Sequence, residues 1–523
     1  MSRRAFPALV SVCFVLSLAA GSAHAQGGES VPLSLDEALS TALANNLQLV
    51  SAKKDPLIAE QQVEVNRAPF DGVVGASAGF NRVDTDETIV DNTSAASTPP
   101  VTSKSEVPAA DVSFNHLLTF GANYSLTYNY QDVDAAQIGI EPATGFLTSS
   151  TFAQTTQGFS LVYQMPLLLG FGKEVNLINL TLARSGLDIS REDLRLAAML
   201  TLNDVEDAYW DVLAAREALR IARLSLERAQ DLLELNRKKV EVGTLAPIEI
   251  TQAEAGVASQ EEGVIVAETT LENAEDTLLR LMAIPEDSLL WGQSLQLTDR
   301  PSYDPLAIDL DDAIETGLEH RPEIVIARQE LRNSELSERV ARKNTRHTLN
   351  LEAAIRPATQ EDTERLVEIL QPAQPNPSDT TTDSESTDWR VGLLYSYPLR
   401  NRRAKASYAI ARLTTEKGVA AVQQAEQTIR VDVRVAARNV ESGVQRVEAA
   451  RKNVELQQKK LDAEQKKFEN GMSTSFEVLT FQNDLANAEL AEIRAKLDYV
   501  KALAAFDRAT GTLLEARGLQ IGS

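Results

Sequence analysis

The sequence predicts a mainly α-helical chain with a membrane β-barrel, built as two copies of one unit and closed only by assembly with further copies. Three observations carry this expectation: a heptad-spaced helix that recurs together with its turn, the lack of any apolar run long enough to cross a bilayer as a helix, and a change of hydrophobic period inside each copy. The recurrence is plainest at the turn. KKVEVGTLAPIE at Lys238–Glu249 and KKFENGMSTSFE at Lys466–Glu477 share two lysines, an apolar residue, a glutamate, a glycine and a closing glutamate in one order.

Upstream of the first turn, Val205, Val212, Leu219, Leu226, Leu233 and Val240 recur every seventh residue, and Ala208, Ala215, Ala222 and Ala229 supply a second, smaller seam. The second copy repeats the large seam as Val433, Val440, Val447, Val454, Leu461 and Phe468; its small seam runs Ala436, Gly443, Ala450 and then turns polar at Gln457 and Glu464. Alternating gaps of three and four mark helices that pack in a left-handed supercoil, and the polar end predicts wetter packing toward the second turn. Helices starting near Lys173 and Ala404 and ending near Glu241 and Glu469 are each about 100 Å long. Gly243 and Gly471 supply the backbone freedom to reverse, and return helices complete long hairpins over 173–285 and 404–515.

Each copy also opens alike. LDEALSTAL at Leu35–Leu43 matches LDDAIETGL at Leu310–Leu318, with Asp36 and Asp311 as N-caps or first-turn acids of short amphipathic helices. The copies are therefore expected over residues 26–300 and 301–523.

Between the opening helices and the long hairpins the period shifts toward two. GVVGASAGFNRV, DVSFNHLLTF, NYSLTYNY and FSLVYQMPLL in 72–168, and HTLNLEAAI and WRVGLLYSYPL in 347–399, mix small, aromatic and branched residues. A membrane strand needs only about 9–11 residues, so these suffice for four to six strands. Barrels need at least eight and leave no edge open in lipid, so one chain falls short: either it oligomerises into a shared barrel, as three chains with four strands each would close twelve, or these strands are not in a membrane. Pro166 and Pro398 mark the strand-to-helix junctions, and Trp389, Tyr395 and Tyr397 suit the membrane interface. The acid-rich stretch Ala358–Asp388 is expected to be a solvated, mobile loop.

The first 25 residues read as a secretory signal peptide: basic MSRR, the apolar run AFPALVSVCFVLSLAAG, and small residues at Ala23–Ala25. Its removal takes away Cys13, the one cysteine, and with it any disulfide or thiol chemistry. A formal charge of −24 opposes nucleic-acid binding. GASAG at Gly75–Gly79 fits a nucleophile-elbow pattern but sits in a small-residue strand, and His116, His320 and His347 lack ligand spacing. No catalytic residue, cofactor or metal site is expected. Trp210 is expected to pack against a neighbouring helix near the membrane-proximal end of the first long helix, with Trp291 and Pro285 at a belt around the middle of the hairpins.

The chain resembles the TolC family of outer-membrane efflux channels. LDEALSTALANN, LDDAIETGLEHRPE, the junctions MPLLLGFGKEVN and YPLRNRRAKA, DAYWDVLAAREALRIA, the two glycine turns and the closing ATGTLL carry the resemblance in order over almost the whole chain. The resemblance implies a homotrimer with a shared 12-stranded β-barrel in outer-membrane lipid, continued into the periplasm by a barrel of helical hairpins. It implies a passive exit duct for small molecules that docks to a periplasmic adaptor and an inner-membrane pump. The exit duct of a type I protein-secretion system is the alternative within the family, and a pore-free periplasmic coiled-coil scaffold the alternative outside it. Because the family commonly has one strand pair per repeat, the extra segments around Phe120 and Gly121 are expected to form an extracellular flap. The turns then form the tip farthest from the membrane, with Gly243, Thr244, Gly471 and Met472 at the adaptor-docking end. Glu249 and Glu477 are placed to line or brace the pore mouth, against a plainer role as first-turn acids. Gln252 and Thr480 stand where some relatives carry a second acid, and Leu245 and Ser473 where some carry a base, so no double acidic ring or ion-pair gate transfers intact.

Overall fold

The computed structural model describes residues 31–87, 101–140, 147–368 apart from 289, 292 and 302, and 378–520; the expected signal peptide lies outside them. The first copy opens with β1 (Val31–Leu33), α1 (Leu35–Asn45), α2 (Leu47–Ala52) and α3 (Asp55–Arg67). Four long strands follow: β2 (Val73–Glu87), β3 (Val101–Leu117), β4 (Asn123–Ile140) and β5 (Leu147–Pro166). A short α4 (Lys173–Asn176) leads into α5 (Ile178–Glu241), which reverses into α6 (Ile248–Leu281) and ends at β6 (Leu295–Leu297). The second copy has α7 (Leu310–His320), α8 (Pro322–Lys343), strands β7 (Thr348–Glu368) and β8 (Ser378–Ser396), then α9 (Arg402–Glu469), α10 (Ser475–Thr510) and α11 (Leu513–Ala516).

Local chemistry starts the helices where the sequence signals them. Ser34 and Glu37 form a reciprocal capping box before α1, with Ser34 Oγ accepting from the Glu37 N–H and the Glu37 carboxylate accepting from the Ser34 N–H at 3.0 Å. Asp309 caps α7 by accepting from the Asp311 and Asp312 N–H groups. Asp36 and Asp311 are thus first-turn acids standing behind the caps. With 64 and 68 residues, α5 and α9 have the expected length of about 100 Å. Val205, Val212, Leu219, Val433, Val440, Val447, Leu461 and Phe468 are buried on the heptad seams. Toward the tip the first seam slips to Ser225, Ala229, Leu232 and Asn236, and Glu464 and Gln482 are buried in the second hairpin, giving the polar packing expected there.

A belt halfway down the long helices locks the two copies together. β1 pairs in parallel with β6, joining the start of the first copy to its end. Tyr209 is fully buried, and its hydroxyl donates to Asp299 at 2.7 Å and also lies 3.1 Å from the Leu33 carbonyl. Trp210, edge-on to Tyr209 at 5.3 Å, packs between helices as expected, but halfway along α5 rather than near its membrane-proximal end. Heptad spacing gives a residue's face and not its height, and the height is set by where the belt elements dock. Below the belt, Arg517 makes two hydrogen bonds to the buried Glu206 carboxylate, at 2.6 and 3.1 Å.

All six long strands form one antiparallel sheet in the order β2-β3-β4-β5-β7-β8. This corrects two expectations. Closure of twelve strands by three chains assumes four strands per chain, whereas the sheet has six, because β3 and β4 pair between β2 and β5 instead of forming a separate flap. The acid-rich stretch Ala358–Asp388 is a loop only in part, since Ala358 pairs with Ser386 and the ladder continues to Leu366 and Ser378. Residues 369–377 lie outside the described residues.

Replacing Arg517 with alanine strands the buried Glu206 carboxylate below the belt at a cost of about 3 kcal/mol. Thermal unfolding should fall accordingly, and the double change Glu206→Leu with Arg517→Met should recover most of the loss.

Candidate functional site

The two hairpin turns meet at one end of the molecule and are built identically. At the first, Gly243 has φ +77°, its N–H donates to the Val240 carbonyl at 2.9 Å, and the Thr244 N–H donates to the Lys239 carbonyl at 2.9 Å. At the second, Gly471 has φ +74°, its N–H donates to Phe468 O at 3.2 Å, and Met472 N–H donates to Lys467 O at 2.9 Å. This pair of bonds is the Schellman closure of a helix C-terminus, which asks for a left-handed residue after the cap and therefore for glycine. The lysine pairs Lys238/Lys239 and Lys466/Lys467 lie in the last turns, where positive charge complements the helix dipole.

A latch joins the turns. Asn236, fully buried, donates through Nδ2 to Ser475 Oγ at 2.7 Å and lies 3.2 Å from the Glu249 carbonyl. The Ser475 N–H donates to the Glu249 carboxylate at 3.2 Å, so an acid at the start of α6 satisfies the first turn of α10. Lys239 donates to the Phe468 carbonyl at 3.0 Å with its ammonium 4.0 Å from the Phe468 ring centre. Glu477 behaves differently: its carboxylate lies 2.7 Å from Ser473 Oγ, which also approaches the Glu464 carboxylate at 2.5 Å, and Thr474 caps α10. The two glutamates are equivalent in sequence but not in structure, because Glu249 reaches across to the other hairpin while Glu477 stays within its own turn. Ser473, then Lys467, hold the Glu464 carboxyl below the usual carboxylate range. Val242, Ile248, Met472 and Phe476 are exposed around the turns. Sequence reading missed the latch; Asn236 as a lone polar residue on an otherwise small and apolar seam was the available signal.

At the other end, the sheet is two-faced. Trp389, Val391, Leu393 and Tyr395 alternate along one face of β8 and are all exposed in the single chain. Trp389 and Tyr395 bracket this apolar row, one at each end. The His347 ring stacks on Tyr397 at 4.0 Å, and its Nδ1 lies 2.5 Å from the Tyr395 hydroxyl. Pro166 is the last residue of β5 and Pro398 follows β8 by two residues; Asn401, in the left-handed region with φ 42°, then turns the chain into α9. Gly75–Gly79 lie within β2, where Ser77 donates to Asp111 across the strand pair, and His116 is held by Tyr124 and the Phe70 carbonyl. Among the described residues no group of three or more His, Cys, Asp or Glu could hold a metal ion.

Twin long hairpins meet at a latched tip and carry, at the other end, one antiparallel sheet with an apolar face and two unpaired edges. The chain belongs to the Outer membrane efflux protein family, whose profile matches residues 115–283 and 313–512. Membership places it in the outer membrane with its helices extending into the periplasm. It is 31% identical over 180 residues to the Pyoverdine export outer membrane protein OpmQ of Pseudomonas aeruginosa, an alignment covering 33% of this chain and 35% of that protein. In fold it is similar to the Campylobacter jejuni CmeC outer membrane channel, with a TM-score of 0.61 at 16% identity over 94% of this chain and 87% of that one. A membrane protein from Pseudomonas aeruginosa is similar at a TM-score of 0.62 and 17% identity, over 94% and 91% of the two chains.

Two outcomes follow for the tip. Changing Glu249 to alanine frees the Ser475 N–H and should raise hydrogen exchange in the first turn of α10 by roughly tenfold, about 1.4 kcal/mol. The Glu464 brace has a definite pH sign. Its folded pKa is lowered, so its contribution is present above the ordinary glutamate value of about 4.3 and is lost as pH falls through the folded value. Exchange at Asn470–Ser473, followed by mass spectrometry after correction for intrinsic rates, should stay protected at neutral pH and open only in acid.

Proposed function

We propose that three copies of this chain assemble into the passive exit duct of a tripartite efflux pump, sharing one β-barrel in the outer membrane and one barrel of helical hairpins in the periplasm. The observation that carries this reading is the sheet: its apolar face calls for lipid, and its two free edges call for further copies of the chain. In the assembly, the six glycine turns of three chains form a ring at the periplasmic end. Gly243, Thr244, Gly471 and Met472 present that ring to an adaptor, with the exposed Val242, Ile248 and Phe476 as its apolar contacts. The adaptor and an inner-membrane pump supply drive and selection, and the duct supplies the path. Partial likeness to a pyoverdine export protein favours small-molecule export over protein secretion.

Mechanistically, Glu249 braces the mouth through its bond to Ser475, and Glu477 contributes charge within its own turn. Opening the tip requires the latch between hairpins to slip, since Asn236, Ser475 and Glu249 join the two elements that must separate. Adaptor binding at the turns is the event placed to shift that balance.

The protein should purify in detergent as a trimer and conduct ions across planar bilayers, with reversal potentials in asymmetric salt showing cation preference from its acidic composition. A monomer that forms pores, or a water-soluble protein that forms none, rejects the duct. Gly243→Val and Gly471→Val place a branched residue at positive φ at about 1–2 kcal/mol each. They should impair adaptor capture and efflux while leaving the distant barrel assembled; wild-type docking and transport by both variants rejects the tip assignment.

A further inference from the structure

We infer that the membrane barrel of this protein has six strands per chain and eighteen in all, with the β3–β4 hairpin forming part of its lipid-facing wall. The inference rests on the trimeric duct proposed above and departs from the twelve-strand count that the family resemblance implies.

One row of paired residues crosses the whole sheet: Val74, Phe114, Leu126, Leu161, Ile355 and Trp389, one from each strand, each opposite the next. All six are apolar or aromatic and point to the same face, because cross-strand partners share a face. A row on the other face runs Ser77, Asp111, Asn129, Gly158, Ala358 and Ser386, all small or polar. Lipid outside and water inside demand this alternation of a barrel wall. β3 and β4 satisfy it in step with the four flanking strands, and Val112 and Leu126 stand exposed on the apolar face. A hairpin held outside the bilayer would present those side chains to water.

The hairpin turn confirms the level at which the pair sits. It lies at the helix end of the sheet, not the extracellular end, and is keyed into the β5–α4 connection. The Gly172 N–H donates to the Phe120 carbonyl at 3.0 Å, and Ala122 is fully buried. Gly121 has φ +99°, and a Cβ there would stand 2.5 Å from the Gly170 carbonyl oxygen, so both the turn's shape and its close approach require glycine.

Closure follows without a defect. β2 runs away from the helices and β8 runs back toward them, so β2 of one copy and β8 of the next meet antiparallel, and no edge is left in hydrocarbon. With strands about 4.8 Å apart and tilted about 40°, eighteen give a backbone diameter of about 36 Å against about 24 Å for twelve. The outer-membrane section is thus wide enough for bulky cargo, and the narrow element of the path is the periplasmic tip.

The test uses the full protein in lipid nanodiscs. Single cysteines at Val112, Leu126, Ser113 and Thr127 report the two faces of β3 and β4; the chain's one cysteine, Cys13, lies in the segment expected to be cleaved. Val112→Cys and Leu126→Cys should react with a water-soluble maleimide roughly tenfold more slowly than Ser113→Cys and Thr127→Cys, since apolar burial suppresses the thiolate. A bimane at the first two positions should be quenched by brominated lipid, and at the other two it should not. Fast and equal labelling at all four overturns the inference. Electron microscopy of the same particles should count eighteen strands. A trimer with a twelve-strand wall overturns the strand number while sparing the duct, and a particle that is no trimer overturns both.

Discussion

A backbone N–H or C=O left unpaired in hydrocarbon has nothing to bond to, and this penalty of several kcal/mol per group governs the whole molecule. The sheet has two edges, β2 and β8, and an apolar face that excludes water as a solution for either. Further copies of the chain are the economical remedy. The helical hairpins inherit that arrangement, because β5, β7 and β8 each connect within a few residues to a helix through Pro166, Thr345–His347 and Pro398–Asn401. In the proposed trimer, symmetry at the membrane carries through to the tip about 100 Å away.

Duplication accounts for the tip but does not make its halves equal. Both turns use the same Schellman bonds and the same lysine pairs, which is why the sequence writes them twice. Their surroundings diverge: one glutamate reaches the neighbouring hairpin, and the other remains beside Ser473 and Glu464. Each chain therefore presents two kinds of turn, not two copies of one.

The helical part was legible because its signal is long and redundant. Six seam residues at heptad spacing, twice, mark length and turn, and face until the first seam slips near the tip, and the structure reproduces both ends of the long helices within a few residues. The opening helices were legible through Asp36 and Asp311 as first-turn acids, while the caps themselves, Ser34 with Glu37 and Asp309, emerged only in the structure. The sheet was legible in its segments and not in its order. Alternation in DVSFNHLLTF and NYSLTYNY marks strands, yet pairing depends on neighbours far along the chain, such as Leu161 against Ile355. Composition misled at Ala358–Asp388, where Thr and Ser alternate with acids; such residues pair well once β7 and β8 are registered by the apolar rows beneath them. At the tip, the reach of Glu249 to Ser475 joins positions 226 residues apart, and no local pattern announces it.

The strands are longer than a membrane requires. β7 has 21 residues, about twice the 9–11 that cross the bilayer. The surplus of roughly ten, at 3.3 Å each and tilted, raises the rim by about 25 Å above the hydrocarbon. Glu361, Asp362 and Glu364 on β7, with Asp383 and Glu385 on β8, lie on this raised section. In the trimeric barrel proposed above, the wall stands as a chimney rather than a hole. Anything leaving a barrel of that height emerges above the acyl chains, in water, past a fixed negative collar.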